Sequence, residues 1–311
     1  MLAVVFPGQG SQSVGMAGEF LRAEPAARRV FEEADEAFGG PLSKLISEGP
    51  ESELQQTEVT QPAILTASIA IYRAILPRLP VAAEAFAGHS LGEYSALVAA
   101  ESLSLGDAVK LVRHRGALMQ EAVPNGEGEM AAIIGLESDR VAQICTEVEG
   151  VVAPANFNSS VQTVIAGARD PVRVACERLR EAGARRVVTL PVSAPFHSEL
   201  MVPAMERLAL ALAEVPLADP RVPVISNVTA EPYRSADDVR EGLREQVCAP
   251  VRWVDCVKRL VRDGARIQLE VGPGKVLSGL AARIDSELAR ANIEKAQDVE
   301  GALERVREAV R

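Results

Sequence analysis

Histidine is scarce in this chain: 311 residues carry only His89, His114 and His197. A histidine-rich metal site is thereby excluded by counting, and no metal is expected. Cysteine is nearly as sparse. Cys145, Cys176, Cys248 and Cys256 form no Cys-x-x-Cys pair, and none stands at a zinc-ligand spacing from a histidine. Buried, reduced thiols are the expectation. No apolar run reaches the roughly 18 residues that a membrane span requires. The short apolar opening Leu2–Phe6 has no basic region before it, so a signal peptide is not expected and a cytoplasmic location is. Basic charge is also lacking. The formal net charge of −10 argues against a nucleic-acid partner, which would need a basic footprint. What remains is 48% hydrophobic and 24% charged residues, a balance that folds as one large core or as a core with a smaller inserted domain.

The pattern along the chain alternates strands and helices. Leu2–Phe6 reads as a buried strand running into the turn Pro7-Gly8-Gln9-Gly10-Ser11-Gln12. Helical spacing covers 19–38 and 61–76. Ala85-Phe86-Ala87 reads as a short strand, followed by a glycine turn and a helix from 92 to 98. Another helix spans 107–122. The cluster Pro124-Asn125-Gly126-Glu127-Gly128 is a turn and a candidate hinge. Beyond it come a strand (130–135), a helix (139–148), two strands (151–156 and 162–166), a helix (171–182) and a strand (186–190). That succession is the split βαβ pattern of a ferredoxin-like unit. The expected organisation is an α/β core with a mostly parallel sheet, formed by residues 1–123 and 191–311, with residues 124–190 inserted as a small α+β subdomain. After an irregular loop at 191–197, helices are expected at 201–213, 237–246 and 253–263, and strands at 222–226 and 266–271.

Gly88-His89-Ser90-Leu91-Gly92 fits the Gly-x-Ser-x-Gly elbow. Such chemistry needs a serine projected from a sharp turn, with small residues letting strand and helix pack around it. The backbone N–H after the serine and the helix N-terminus can then hold an oxyanion. The alternative is a structural glycine turn. A serine also needs a base. His89 is its chain neighbour, and adjacent side chains on an elbow point apart. His114 stands beside Arg115, whose charge opposes protonation of the imidazole. His197 is left, in a loop expected to hold it fixed and partly exposed. The group that orients it stays open. Asp107, Asp139 and Asp170 lie between Ser90 and His197 in the chain, and a backbone carbonyl would also serve. Arg115 reads either as a surface residue or as a fork for a substrate carboxylate.

Several blocks occur together and in order: Phe6-Pro7-Gly8-Gln9-Gly10-Ser11-Gln12, Gly88-His89-Ser90-Leu91-Gly92-Glu93-Tyr94, Arg115-Gly116, Asn156-Phe157-Asn158-Ser159, Pro195-Phe196-His197-Ser198, Gln246-Val247-Cys248-Ala249-Pro250-Val251-Arg252-Trp253 and Glu270-Val271-Gly272-Pro273-Gly274. From Val4 to about Leu280 the chain resembles the malonyl-CoA:acyl carrier protein transacylases of bacterial type II fatty-acid synthesis. The resemblance implies an α/β-hydrolase-like core with a ferredoxin-like insert. It implies transfer of malonyl from malonyl-CoA to the phosphopantetheine thiol of an acyl carrier protein, by a monomer with no cofactor of its own. Residue by residue, it makes Ser90 the nucleophile and His197 the base. Arg115 becomes the partner of the free malonyl carboxylate. Gln9 and Leu91 become the oxyanion-hole donors, and Gln246 the residue whose main-chain carbonyl holds the histidine. His89 and Phe196 are further expected substrate contacts, and the bulk of Phe196 would disfavour an α-methyl branch. Cys248-Ala249 replaces a larger pair found in many relatives, which bears on how His197 is positioned. A polyketide acyltransferase is the nearest alternative. A serine esterase would need a triad acid and commonly an oxyanion loop of His-Gly-Gly-Gly type, which is absent. Lys275 and Arg283 are candidates for docking the acidic carrier.

Overall fold

The computed structural model describes residues 1–124, 126–192 and 194–311. Asn125, in the expected hinge, and Ser193, in the loop before His197, lie outside them. In chain order the strands are β1 Leu2–Phe6, β2 Ala85–Gly88, β3 Gly128–Ile134, β4 Val152–Ser159, β5 Gln162–Ala168, β6 Arg186–Thr189, β7 Ile267–Val271 and β8 Ala289–Ile293. They form two four-stranded sheets, ordered β2-β1-β7-β8 and β4-β5-β3-β6.

Every pairing in the first sheet is parallel. Each residue of β1, β2 and β7 is buried, as expected of parallel strands covered on both faces. The register sets Phe6 beside Gly88, so β1 and β2 end together. The two loops leaving them, at Pro7 and at His89, therefore meet at the same carboxyl end of the sheet. That is where ligands collect in open α/β sheets.

The second sheet is antiparallel throughout. Its side chains alternate between two destinations, the period of two that a pleated strand imposes. Ala131, Ile133 and Ile165 pack with Val141, Ile144, Val172 and Leu179 of the helices Ser138–Thr146 and Arg169–Glu181. Met130, Val164 and Ala166 face the other way, into the main core. The expected fold class, a parallel α/β core accompanied by a ferredoxin-like unit, is the one observed.

Three expectations needed correction. The helix predicted over 19–38 is two, Gly18–Ala23 and Pro25–Phe38. Glu24 is extended between them, and Pro25 can begin a helix but cannot continue one. The strand predicted at 222–226 contributes only isolated bridges, Phe86 with Val224 and Ile225 with Pro232. Pro223 has no N–H to give the ladder, and its carbonyl instead accepts from the Phe86 N–H at 2.8 Å. The helix expected from 61 begins a turn earlier, as Thr57–Ile75 with Pro62 inside it. The extended span Thr57–Arg78 is long and apolar enough for a membrane crossing, yet 89% of its apolar window is buried. It packs against Phe6 and Phe86 through Tyr72.

Candidate active site

The elbow is built by close approach. A Cβ on Gly88 would fall 1.9 Å from the Gly92 carbonyl, and one on Gly92 would fall 2.1 Å from the Phe6 oxygen. Strand, turn and the helix Gly92–Ala99 can therefore cross only without side chains there. Ser90 sits at the apex with φ 51°, in the left-handed region that costs a non-glycine residue energy. Asn227 holds the turn shut: its Oδ1 accepts from the Ser90 N–H at 2.7 Å, and its Nδ2 donates to the Gly88 carbonyl at 2.7 Å.

His197 lies 107 residues further along, its Nε2 2.7 Å from Ser90 Oγ. Its Nδ1 is 2.7 Å from the Gln246 carbonyl oxygen. A carbonyl only accepts, so Nδ1 carries the proton and Nε2 offers a lone pair to the serine hydroxyl. The orienting group left open by the sequence is thus a carbonyl. Asp107 is engaged as a helix cap with Ser104, while Asp139 and Asp170 are exposed on the second sheet's helices. Contrary to expectation, His197 is buried, with 4% of its surface exposed. Pro195 packs against Gly128 of the second sheet, where an added Cβ would fall 2.3 Å from its Cδ, and Ser198 Oγ donates to the Pro195 carbonyl at 2.6 Å. Burial first, and the Arg115 charge second, lower its pKa from 6.5 to about 3. The ring is therefore neutral at physiological pH.

Arg115, from the helix Leu105–Glu121, is 1% exposed, which removes the surface reading. Nη1 donates to Gln61 Oε1 at 2.8 Å, and Nη2 to Gln246 Oε1 at 2.9 Å and to Ser90 Oγ at 3.2 Å. The Tyr94 ring lies 5.4 Å from its guanidinium carbon. Nε has no hydrogen-bond partner among the described residues. A buried guanidinium reaching the serine, with no carboxylate directly on it among the described residues, has the chemistry to receive an incoming anion.

These groups open on a cavity of about 620 Å³ that is also lined by Gln9, His89, Met130 and Phe196. Gln9 Nε2 donates to Thr57 Oγ1 at 3.4 Å. Leu91 leads into the Gly92–Ala99 helix, so its N–H belongs to a first turn that lacks intrahelical acceptors. His89 is half-buried. Its Nε2 contacts Asn158 Oδ1 at 2.8 Å, and its ring lies 5.6 Å from that of Trp253. Burial lowers its pKa from the ordinary value. His114 is exposed and away from the cavity.

Sequence reasoning missed Gln61, Glu93 and Asn227. Glu93 is fully buried. It accepts from Gln246 Nε2 at 2.5 Å, from the Tyr233 hydroxyl, and from the Asn227 N–H at 3.3 Å. Burial raises its pKa from 4.5 to about 7 against those hydrogen bonds. Position three after the elbow serine was the only local signal for it. Gln61 and Asn227 have none, beyond being polar residues inside apolar surroundings. Among the described residues no cluster of His, Cys, Asp and Glu is arranged to hold a metal ion.

Known proteins resemble this chain in sequence and in fold. The acyl transferase domain family matches residues 3–304. A malonyl CoA-acyl carrier protein transacylase of Haemophilus influenzae is 46% identical over 289 residues, 92% of this chain and 93% of that protein. One from Bacillus subtilis is 45% identical over 310 residues, 99% and 98% of the two chains. Among solved structures, an acyl carrier protein S-malonyltransferase from Vibrio cholerae superposes with TM-score 0.94 at 44% identity, covering 96% of this chain and 99% of that one. A type II PKS acyl-carrier protein in complex with its malonyl-transacylase matches with TM-score 0.95 at 43% identity, over 97% and 99%.

Proposed function

The chain belongs to the acyl transferase domain family, and from that premise we propose that it moves malonyl from malonyl-CoA to an acyl carrier protein through an ester on Ser90. The observation that carries this reading is the contact of one serine hydroxyl with both a neutral imidazole at 2.7 Å and a buried guanidinium at 3.2 Å. The first supplies a nucleophile and the second selects an acyl group that ends in a carboxylate.

In the first half-reaction His197 Nε2 takes the Ser90 proton as Oγ bonds to the thioester carbon. The oxyanion falls to the N–H groups of Leu91 and Gln9, a donor pair in which each member typically contributes about 2.7–4 kcal/mol to the barrier. The carbon–sulfur bond breaks, and the coenzyme A sulfur leaves with the proton from Nε2. In the second half-reaction the carrier's phosphopantetheine thiol gives its proton to Nε2 and attacks the ester carbon. Ser90 Oγ then leaves and recovers the proton. Arg115 holds the malonyl carboxylate in both halves, with His89 and Phe196 as acyl-pocket walls. Each step uses side chains or substrate, so the chemistry calls for no resident cofactor. We place the enzyme as a cytoplasmic monomer of fatty-acid synthesis. A polyketide carrier is the second reading for the acceptor, favoured by the solved complex with such a carrier.

Intact mass tests the proposal. Incubation with malonyl-CoA should add one malonyl group, a holo carrier protein should remove it, and Ser90→Ala should stay unmodified. A malonylated Ser90→Ala protein, or release of free malonate instead of malonyl-carrier, would overturn it.

A further inference from the structure

The mechanism leaves one buried ionisable group unused. Glu93 has no solvent contact, lies beyond direct reach of the serine and histidine, and sits three residues after Ser90 on the rigid first turn of the elbow helix, where its N–H donates to the Ser90 carbonyl at 3.0 Å. Its carboxylate is linked to Arg115 by a single side chain. Gln246 Nε2 donates to Glu93 Oε2 at 2.5 Å and to the Ser90 carbonyl at 2.9 Å, and Gln246 Oε1 accepts from Arg115 Nη2 at 2.9 Å. A flipped amide would set its oxygen against two acceptors and its NH2 against a guanidinium, which has donors only. The chain of contacts therefore allows one orientation. On its other edge Glu93 is pinned by the Tyr233 hydroxyl and the Asn227 N–H, and Asn227 also clamps the elbow.

We propose that Glu93 is a positioning residue for acyl selectivity, holding the Gln246 amide so that Arg115 presents its fork to the malonyl carboxylate. The inference rests on the reading of Arg115 given above. Gln246 has a divided task. Its main-chain carbonyl holds His197, while its side chain, under Glu93, holds Arg115. Without the Glu93 contact the amide can turn, and Nη2 loses its fixed partner. The guanidinium then keeps Gln61 and the Tyr94 ring but loses the amide that fixes Nη2, and is free to pivot off the serine. The loss falls on substrates with a second carboxylate, because an acetyl group makes no use of the fork.

The experiment compares Glu93→Asp and Glu93→Gln with the unaltered protein and with Arg115→Ala, measuring kcat/KM for loading by malonyl-CoA and by acetyl-CoA. Aspartate keeps the charge but withdraws the carboxylate by one carbon–carbon bond, about 1.5 Å, which opens the 2.5 Å contact. Glutamine keeps the reach and loses the charge. Glu93→Asp is expected to lower the malonyl-over-acetyl ratio about tenfold, the scale of one misplaced charge-assisted hydrogen bond. The change should appear in KM for malonyl-CoA, as befits a contact made in ground and transition states alike, with acetyl loading within about threefold. Glu93→Gln is expected to hold the ratio within about threefold. An unchanged ratio in Glu93→Asp, or equal slowing of both substrates, overturns the proposal. An equal loss in both variants overturns it too, since charge and not reach would then be responsible. If Arg115→Ala itself keeps the ratio, the reading of Arg115 fails and this one with it. If Arg115→Ala loses selectivity while Glu93→Asp keeps it, only the role of Glu93 is withdrawn.

Discussion

Ser90 and His197 share an unusual backbone state, with φ of 51° and 58°. Each is strained, and each is fixed by contacts from distant segments, Asn227 for the serine and the Gln246 carbonyl for the histidine. The histidine's basicity reflects its surroundings. An imidazole with its ordinary pKa would lose about tenfold in base form for each pH unit below 6.5. Burial and the Arg115 charge move His197 to about 3, so it remains a base across the mildly acidic range. Loading at saturating malonyl-CoA should therefore change less than about threefold between pH 7.5 and 5, followed by quenched-flow release of thiol. A tenfold fall centred on 6.5 would contradict the buried state. The same shift makes the imidazole a weak base. On the proposed function, a malonyl carboxylate on Arg115 would cancel the second cause of the depression and restore part of the basicity. How far such residues can be read from sequence depends on how local their requirement is. Ser90 is legible because an elbow demands glycines two residues on either side. His197 is legible because few histidines compete with it. Gln61, Glu93, Asn227 and Tyr233 are not, because their roles exist only after helices and loops remote in sequence have packed together. The burial of His197 was misjudged for a related reason. Its loop looks exposed until Pro195 packs against Gly128 of the second sheet.

At the scale of elements, the elbow can be tested through Gly92. Alanine in the interior of an exposed helix is worth about 1 kcal/mol more than glycine. Here the added Cβ would lie 2.1 Å from the Phe6 oxygen, a backbone atom of the central sheet that cannot move aside. The clash outweighs the propensity, and Gly92→Ala is expected to destabilise by about 1–3 kcal/mol, read from the urea midpoint at constant m-value. A stabilised variant would mean that helix and strand are not in van der Waals contact. Legibility at this scale followed burial. β1 and β2 are short apolar runs, β7 alternates apolar residues with Gln268 and Glu270, and the helices beside β3–β6 show the 3.6-residue period, so all were visible. β8, Ala-Arg-Ala-Asn-Ile, lies at the sheet edge with only part of its surface covered, and edge strands need no apolar pattern. The segment at 222–226 failed in the opposite sense, being apolar enough for a strand but interrupted by Pro223.

Across the whole molecule, buried ionisable groups give stability two opposing slopes with pH. His197, and His89 in the same direction, bind protons less readily folded than unfolded. Their contribution is present above 6.5 and is lost as pH falls below it, for His197 down to about 3. Glu93 does the reverse. Its folded pKa of about 7 exceeds the ordinary 4.5, so its contribution is present below 4.5 and is lost as pH rises through 7. Replacing Glu93 by Gln removes its share of the second slope, leaving that of Glu270, whose pKa burial also raises. The melting temperature of Glu93→Gln relative to the unaltered protein should therefore climb as pH rises from 4.5 to 8, and a flat or falling difference would refute the buried-carboxylate assignment. The second sheet is likewise stitched to the 246–252 stretch. The Phe157 N–H of β4 donates to the Val251 carbonyl at 2.9 Å, and the Val251 N–H donates to the Ala155 carbonyl at 2.8 Å. Val251 follows Gln246 by five residues, and Asn158 of the same strand holds His89. A protein engineer exchanging residues 124–190 between relatives to borrow a new acyl range would thus be importing one half of a seam. The transplant has to bring the matching 246–252 stretch with it, or the borrowed wall arrives without the hinge-post that keeps the base in line.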